Sequence, residues 1–294
     1  MLVFYVGARS RVLILAVAVL MLVSFAVTAI GSVAEPGLGS AILGAAGVGR
    51  NAIAAVTSGS RLVPIYCVAR DDRVCSLTVD ATWGDDKTVA LLDLFDRHGL
   101  KVTFFLAGQW IKSYPDKVLE IASRGHELGN HSWTHPHMSA LSRDKIRDEL
   151  ERTQQAIADL VGKRPAVFRP PFGDYSNTVI TVAQECGLRT IQWSVDSLDW
   201  KDLSAAQIRE RVMKRVRPGA IILCPDAGKY SVQALDWIIR DLKTEGYAML
   251  PVSGLLLDGE TYIDRSTGEQ RSVGPRKPVP GTGIRETPEG RPAA

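Results

Sequence analysis

Histidine is scarce in this chain: there are five in 294 residues, and none follows His137. No segment beyond that point can supply an imidazole. Excess charge is scarce too. The formal net charge is +3 and no block of Lys and Arg occurs, which excludes a phosphate-tracking groove and with it a nucleic-acid partner. Large apolar side chains almost vanish beyond Asp264, where Gly, Pro, Arg and Thr dominate, so 258–294 reads as a disordered tail. Charge is missing altogether from Val12 to Ala34, "VLILAVAVLMLVSFAVTAIGSVA". These 23 residues, at about 1.5 Å each in a helix, reach across a hydrocarbon core of roughly 30 Å.

Arg9 and Arg11 precede this run, which predicts residues 1–11 in the cytoplasm, a transmembrane or signal-anchor helix over 12–34, and an extracytoplasmic body held at the cell membrane. Ser32-Val33-Ala34 keeps a cleaved signal peptide open as the alternative, and both readings export the body. Residues 35–62, rich in Gly, Ala and Ser, read as a linker. Export permits disulfides. Cys67 and Cys75 flank "VARDDRV", which reads as a hairpin turn, so a bridge between them and a set of four buried thiols both stay open.

Within 63–257 short apolar strands are predicted at 75–80, 101–106, 126–130, 166–170, 190–195, 219–224 and 247–252, with helical segments between them. The clearest helix spans 143–161, where Ile146, Leu150, Thr153, Ile157 and Leu160 recur at spacings of four and three, Ser142 caps the start and Gly162 ends it. Strands alternating with helices predict an α/β fold, a deformed (β/α) barrel of about seven parallel strands. Such folds place their chemistry at the C-terminal strand ends. Asp80, His131 and His135, Arg169 with its "PPFG" sequel, and "DSLDW" (Asp196 to Trp200) all fall there. Two histidines and a carboxylate supply three legs for a divalent metal, whereas the same histidines alone would read as a hydrogen-bonded turn. His126 reads as structural, and His137 as exposed or supporting. Asp85 and Asp86 suit the start of a helix, and Cys224 a buried strand.

The stretches "LTVDATWGDD", "VTFFLAGQW", "GHELGNHSWTHPHM", "FRPPFGDY", "QWSVDSLDW" and "PGAIILCPDAGKY" resemble, in order and spacing, the NodB-homology polysaccharide deacetylases, carbohydrate esterase family four. The likeness is to the branch from spore-forming bacteria whose first motif reads F-D-x-x-W-G. It implies hydrolysis of N-acetyl groups from amino sugars of a cell-envelope polysaccharide such as peptidoglycan, with one divalent metal, usually zinc, and cobalt or nickel as substitutes. On that resemblance Asp80 is the base, His131 and His135 hold the metal, and Arg169 orients the base. The Phe172 N–H serves the oxyanion, Asp199 tunes the acid, Trp200 walls the groove and Leu223 lines the acetyl pocket.

Two positions depart from the family pattern. The usual metal aspartate directly after the base is Ala81 here. Asp80 is the first choice for the third leg, though it cannot easily be both ligand and free base, and Asp85, Asp86 and His137 stay open as substitutes. The acid histidine two positions after Leu223 is Pro225, and only the adjacent Asp226 offers an acidic substitute. The leading expectation is an exported, metal-dependent deacetylase weakened by these changes. The alternative is a non-catalytic glycan-binding or envelope-assembly protein on the same barrel. A hydrolase of a different acyl ester is a third reading, because an alkoxide leaves with less need of a proton than an amine.

Overall fold

The computed structural model describes residues 61–201, 203–224 and 228–274. The expected membrane helix over 12–34, nearly all of the linker, Pro225 and Asp226 lie outside the described residues. Among the described residues no helix is long and apolar enough to cross a membrane.

Strand alternation builds the sheet. The strands are β1 (Cys67–Val68), β2 (Val74–Ala81), β3 (Thr103–Leu106), β4 (Glu127–Asn130), β5 (Val167–Phe168), β6 (Arg189–Thr190), β7 (Val195–Asp196), β8 (Ala220–Leu223), β9 (Ala248–Met249), β10 (Thr261–Ile263) and β11 (Glu269–Ser272). They join in one 11-stranded sheet of order β10-β11-β1-β8-β2-β3-β4-β5-β6, with β7 also on β8 and β9 also on β2. In β2 the odd residues Cys75, Leu77, Val79 and Ala81 enter the large apolar layer beneath the helices. The even residues Thr78 and Asp80 face the other way and meet Arg169. The same alternation turns Phe104 and Leu106 outward and Phe105 inward on β3.

Helices cover the outer face: α1 (Thr88–Arg97), α2 (Gly108–Ser113), α3 (Pro115–Ser123), α4 (Arg143–Val161), α5 (Asn177–Glu185), α6 (Ala205–Met213) and α7 (Ser231–Thr244), whereas the short α8 (Val252–Leu255) packs with Phe105 on the inner side. α4 has the bounds its apolar spacing predicts; the Ser142 side chain accepts from Lys145 N–H, and Gly162 closes the helix at φ 73°. His98 caps the C-terminal end of α1, with Gly99 left-handed after it.

The barrel is incomplete, and it is not all parallel. From β8 through β2 to β6 the strands run parallel, but β1 meets β8 antiparallel. The far end of the sheet is joined back by the bridge of Ile65 to Ile191, where Ile65 N–H donates to Thr190 O at 2.9 Å and Gln192 N–H to Ile65 O at 2.7 Å, and by the parallel pairing of β7 with β8. The hairpin expected between Cys67 and Cys75 does not form, because β8 inserts between its arms and Ala220 pairs with both cysteines. Two strand spacings, roughly 10 Å, exceed the reach of a disulfide. All four cysteines are free.

The tail reading is corrected in part. Residues 261–272 form the β10–β11 hairpin, and β11 runs parallel to β1. The Asp264 carboxylate accepts from Ser266 N–H, the Ser266 hydroxyl and Thr267 N–H, which builds the turn. This hairpin is held by backbone pairing to an edge, by the buried Gln270 amide bonded to the Leu257 backbone and by little apolar contact beyond Ile263, so low hydrophobicity misrepresents it. The stretch 190–195, expected as one strand, is divided between β6 and β7.

Candidate active site at the strand ends

Arg169, leaving β5, is fully buried although it carries a charge. Its Nη1 donates to Asp80 Oδ1 at 2.7 Å and to Thr78 Oγ1 at 2.8 Å, and Nη2 donates to Gln192 O at 3.1 Å. The guanidinium lies 4.2 Å over the Phe105 ring and 5.4 Å from that of Trp193. Gly129 on β4 leaves room for this stack, since a Cβ there would come within 2.5 Å of the Phe105 ring. A buried cation held on so many sides keeps the Asp80 carboxylate aimed at the rim.

His131 follows β4 directly. Its Nδ1 lies 2.7 Å from Arg169 O, and because a carbonyl only accepts, Nδ1 carries the proton and Nε2 is the bare nitrogen. That Nε2 faces Asp80 Oδ2 at 3.7 Å, longer than a hydrogen bond. The His135 ring stands 5.0 Å from the His131 ring. Burial lowers the pKa of His131 against the opposing pull of Asp80. Burial, reinforced by His131, pushes His135 down to about 4. Both imidazoles are therefore neutral at neutral pH, as metal ligands must be. The His135 Nδ1 is buried without a partner.

The donor set fits a metal through the imidazole pair, with Asp80 Oδ2, 3.7 Å from His131 Nε2, as the carboxylate oxygen open to a third leg. Among the described residues no three His, Cys, Asp or Glu side chains are gathered as a ready cation site. Arg169 holds Asp80 Oδ1, and Ala81 points into the apolar layer on the opposite face of β2. Asp85 lends its carbonyl, not its carboxylate, to Thr88 N–H at the start of α1, and the Asp86 side chain is exposed.

The remaining expected residues surround this centre. Phe172 is left-handed at φ 59° and 61% exposed; its ring touches His135 at 4.5 Å and stacks on His137 at 4.4 Å. Leu223 ends β8 opposite Asp196 of β7 and Thr78 of β2. Trp200 is 62% exposed on the β7–α6 loop. Asp199 is buried, and its Oδ2 accepts from Gly228 N–H at 2.8 Å and the Ser231 hydroxyl at 2.7 Å. His126 is structural: Nδ1 accepts from Val102 N–H, the ring packs against Phe95 and Phe104, and burial pushes its pKa down to about 4. Cys224 is buried, which raises its thiol pKa.

Sequence reasoning missed Thr78, Gln192, Trp83 and Glu149. Trp83, 74% exposed, meets the His135 ring edge-on at 5.8 Å. Glu149 alone left a signal, a carboxylate on the buried stripe of α4 between Ile146 and Thr153.

A buried arginine aiming a carboxylate at two neutral imidazoles on a barrel rim defines a hydrolase-type centre. The chain matches the polysaccharide deacetylase family model over residues 68–191. It is 31% identical to the peptidoglycan-N-acetylmuramic acid deacetylase PdaA of Bacillus subtilis, over 65% of this chain and 74% of that protein. It is 33% identical to YlxY of the same organism, over 66% of this chain but only 60% of YlxY. Among solved structures it is similar to BA3943 of Bacillus anthracis, described as a pseudoenzyme of carbohydrate esterase family 4, with 35% identity, a TM-score of 0.63, and coverage of 65% of this chain and 68% of that one. A BA3943 mutant described as having restored enzymatic activity matches at 36% identity and a TM-score of 0.64, over 65% of this chain and 70% of that one. The chain belongs to the polysaccharide deacetylase family, the NodB-homology carbohydrate esterases of family 4. Its relatives include enzymes and a pseudoenzyme.

Proposed function

We propose that this protein is an exported, membrane-tethered, metal-dependent deacetylase of cell-envelope polysaccharide, acting slowly on N-acetylated amino sugars. The observation that carries the reading is the convergence of Asp80, Arg169, His131 and His135 on one rim. His131 and His135, with Asp80 Oδ2 as third leg, would hold one divalent metal, zinc before cobalt or nickel. Such a metal polarises an amide carbonyl and lowers the pKa of water toward roughly 7.

The protein's own groups do the rest. Arg169 holds Asp80 Oδ1, so Oδ2 alone serves both as ligand and as proton acceptor, and the two roles compete. The Phe172 N–H donates to the developing oxyanion, and Leu223 lines the acetyl pocket. Trp200, with Phe172 and Trp83, offers exposed ring faces on which sugar rings stack. The weak step is the last. An amine leaves poorly without a proton, no histidine follows His137, and Asp199 is already engaged by Gly228 and Ser231. Tethering follows from the charge-free run 12–34 behind Arg9 and Arg11.

A non-catalytic glycan-binding role is the second reading, favoured by Ala81 and Pro225 together with the likeness to a pseudoenzyme. Metal uptake tests the first. The purified full chain should bind one divalent ion per molecule and lose it when His131→Ala and His135→Ala are combined. Metal at background level in the wild type would contradict the proposal.

A further inference from the structure

We infer that Glu149 is the positioning residue of the two-histidine turn: its buried carboxylate fixes the backbone between His131 and His135 and so sets where both imidazoles point. This rests on the metal-dependent reading above, and the test lets the two fail separately.

The turn needs holding. Ser132 and His135 both adopt left-handed backbone, at φ 64° and 57°, which non-glycine residues disfavour. Its four consecutive N–H groups all donate to side-chain oxygens instead of to a backbone ladder. Ser132 N–H donates to Asn130 Oδ1 at 2.8 Å, and His135 N–H to Ser132 Oγ at 3.1 Å. The two between them go to Glu149: Trp133 N–H at 2.8 Å and Thr134 N–H at 2.7 Å, both to Oε2. Oε1 accepts the Thr134 hydroxyl at 2.7 Å. Of the three acceptor residues, only Glu149 comes from outside the turn and its strand, reaching down from α4. The carbonyls are tied from the other side, where α2 donates Gly108 N–H to Ser132 O at 2.9 Å and Gln109 N–H to Trp133 O at 3.0 Å. The Trp133 ring is wedged against Gly108, where a Cβ would come within 2.0 Å, and lies 4.5 Å from the Arg152 guanidinium.

An ordinary packing role explains this carboxylate poorly. Glu149 is only 7% exposed and forms no ion pair among the described residues. A buried charge without a cation is costly, and an apolar residue would complete the stripe of Ile146, Leu150 and Ile157 at less expense. What a charged acceptor supplies here is three donors gathered on one turn. Groups that orient ligands in this way typically carry a 10–100-fold effect on metal affinity.

The test compares Co(II) binding and amide hydrogen exchange of the 131–135 turn in four full-length forms. Glu149→Ala should weaken Co(II) binding by about 10–100-fold and speed exchange of the turn before any metal is added. Glu149→Gln should keep most of both, since its amide oxygen still accepts two N–H groups while its NH2 donates to the Thr134 hydroxyl. Ile157→Ala, a buried position one turn or more along α4, should lower the melting temperature and leave both readouts alone. Unchanged affinity in Glu149→Ala, or an equal loss in Ile157→Ala, overturns the inference. If Glu149→Ala does not fold, Glu149→Asp draws the oxygens back by one methylene and should show the same two losses in smaller measure. If the wild type binds no Co(II), the metal reading falls, and turn exchange decides on its own: faster in Glu149→Ala upholds the positioning role, unchanged refutes it.

Discussion

The β2–β5 side of the rim and the β7–β8 side have been built under different constraints. On the first, Thr78, Asp80, Arg169, Gln192 and His131 are linked by hydrogen bonds around one buried guanidinium, so a change at any of them disturbs packing as well as chemistry. On the second, Asp199 is engaged by the start of α7, Trp200 stands in solvent, and position 225, where the proposed function needs a proton donor, is proline. Residues that both fold and react survive a loss of chemistry; a residue that only reacts can change at no cost to the fold. A family containing both deacetylases and a pseudoenzyme is what this division allows.

The comparison is broken most directly at Arg169. Arg169→Leu strips Asp80 Oδ1 and Thr78 Oγ1 of the donor they share and removes the stack on Phe105. It should cost about 3–5 kcal/mol in denaturant unfolding. A loss under about 1 kcal/mol would mean the network is not structural.

Next is pH. Burial holds the His126 pKa at about 4 in the fold, against roughly 6.5 in the unfolded chain. Between those values the unfolded state binds the extra proton, so stability falls as pH drops from about 6.5 toward 4. The share of this one group is at most about 3 kcal/mol. His126→Asn keeps an acceptor for Val102 N–H and removes the titration, so its stability profile over that window should be flatter than the wild type's. Superimposable slopes would show that His126 is not buried neutral.

Smallest is Trp200. Trp200→Ala should move stability by no more than about 0.5 kcal/mol while weakening the binding of soluble N-acetylated oligosaccharides. A large stability loss would place Trp200 with the structural side.

Much of this site is legible in the sequence alone. α4, its Ser142 and Gly162 caps, and the placing of Asp80, His131, His135 and Arg169 at strand ends follow from periodicity and motif order. What escapes is set by partners distant in sequence. Nothing local to Cys67–Cys75 says that β8, about 150 residues on, will separate them. The β10–β11 hairpin escapes because edge pairing leaves little apolar signature. Glu149 escapes because periodicity counts apolar residues, and a buried carboxylate reads as a gap in the stripe.

The central claim is a metal-ready scaffold that lacks its proton donor, and Pro225→His measures it most directly. Wild type and Pro225→His are assayed with divalent metal on an N-acetylglucosamine oligomer and on an activated acetyl ester, after both are shown to fold. General acids typically contribute roughly 10²–10⁴-fold, so even a partly aligned imidazole should raise amide hydrolysis tenfold or more. The ester, whose leaving group departs without a proton, should gain little. No amide turnover in either form, with metal bound and the fold intact, would contradict the account and leave the protein as a glycan-binding member of its family.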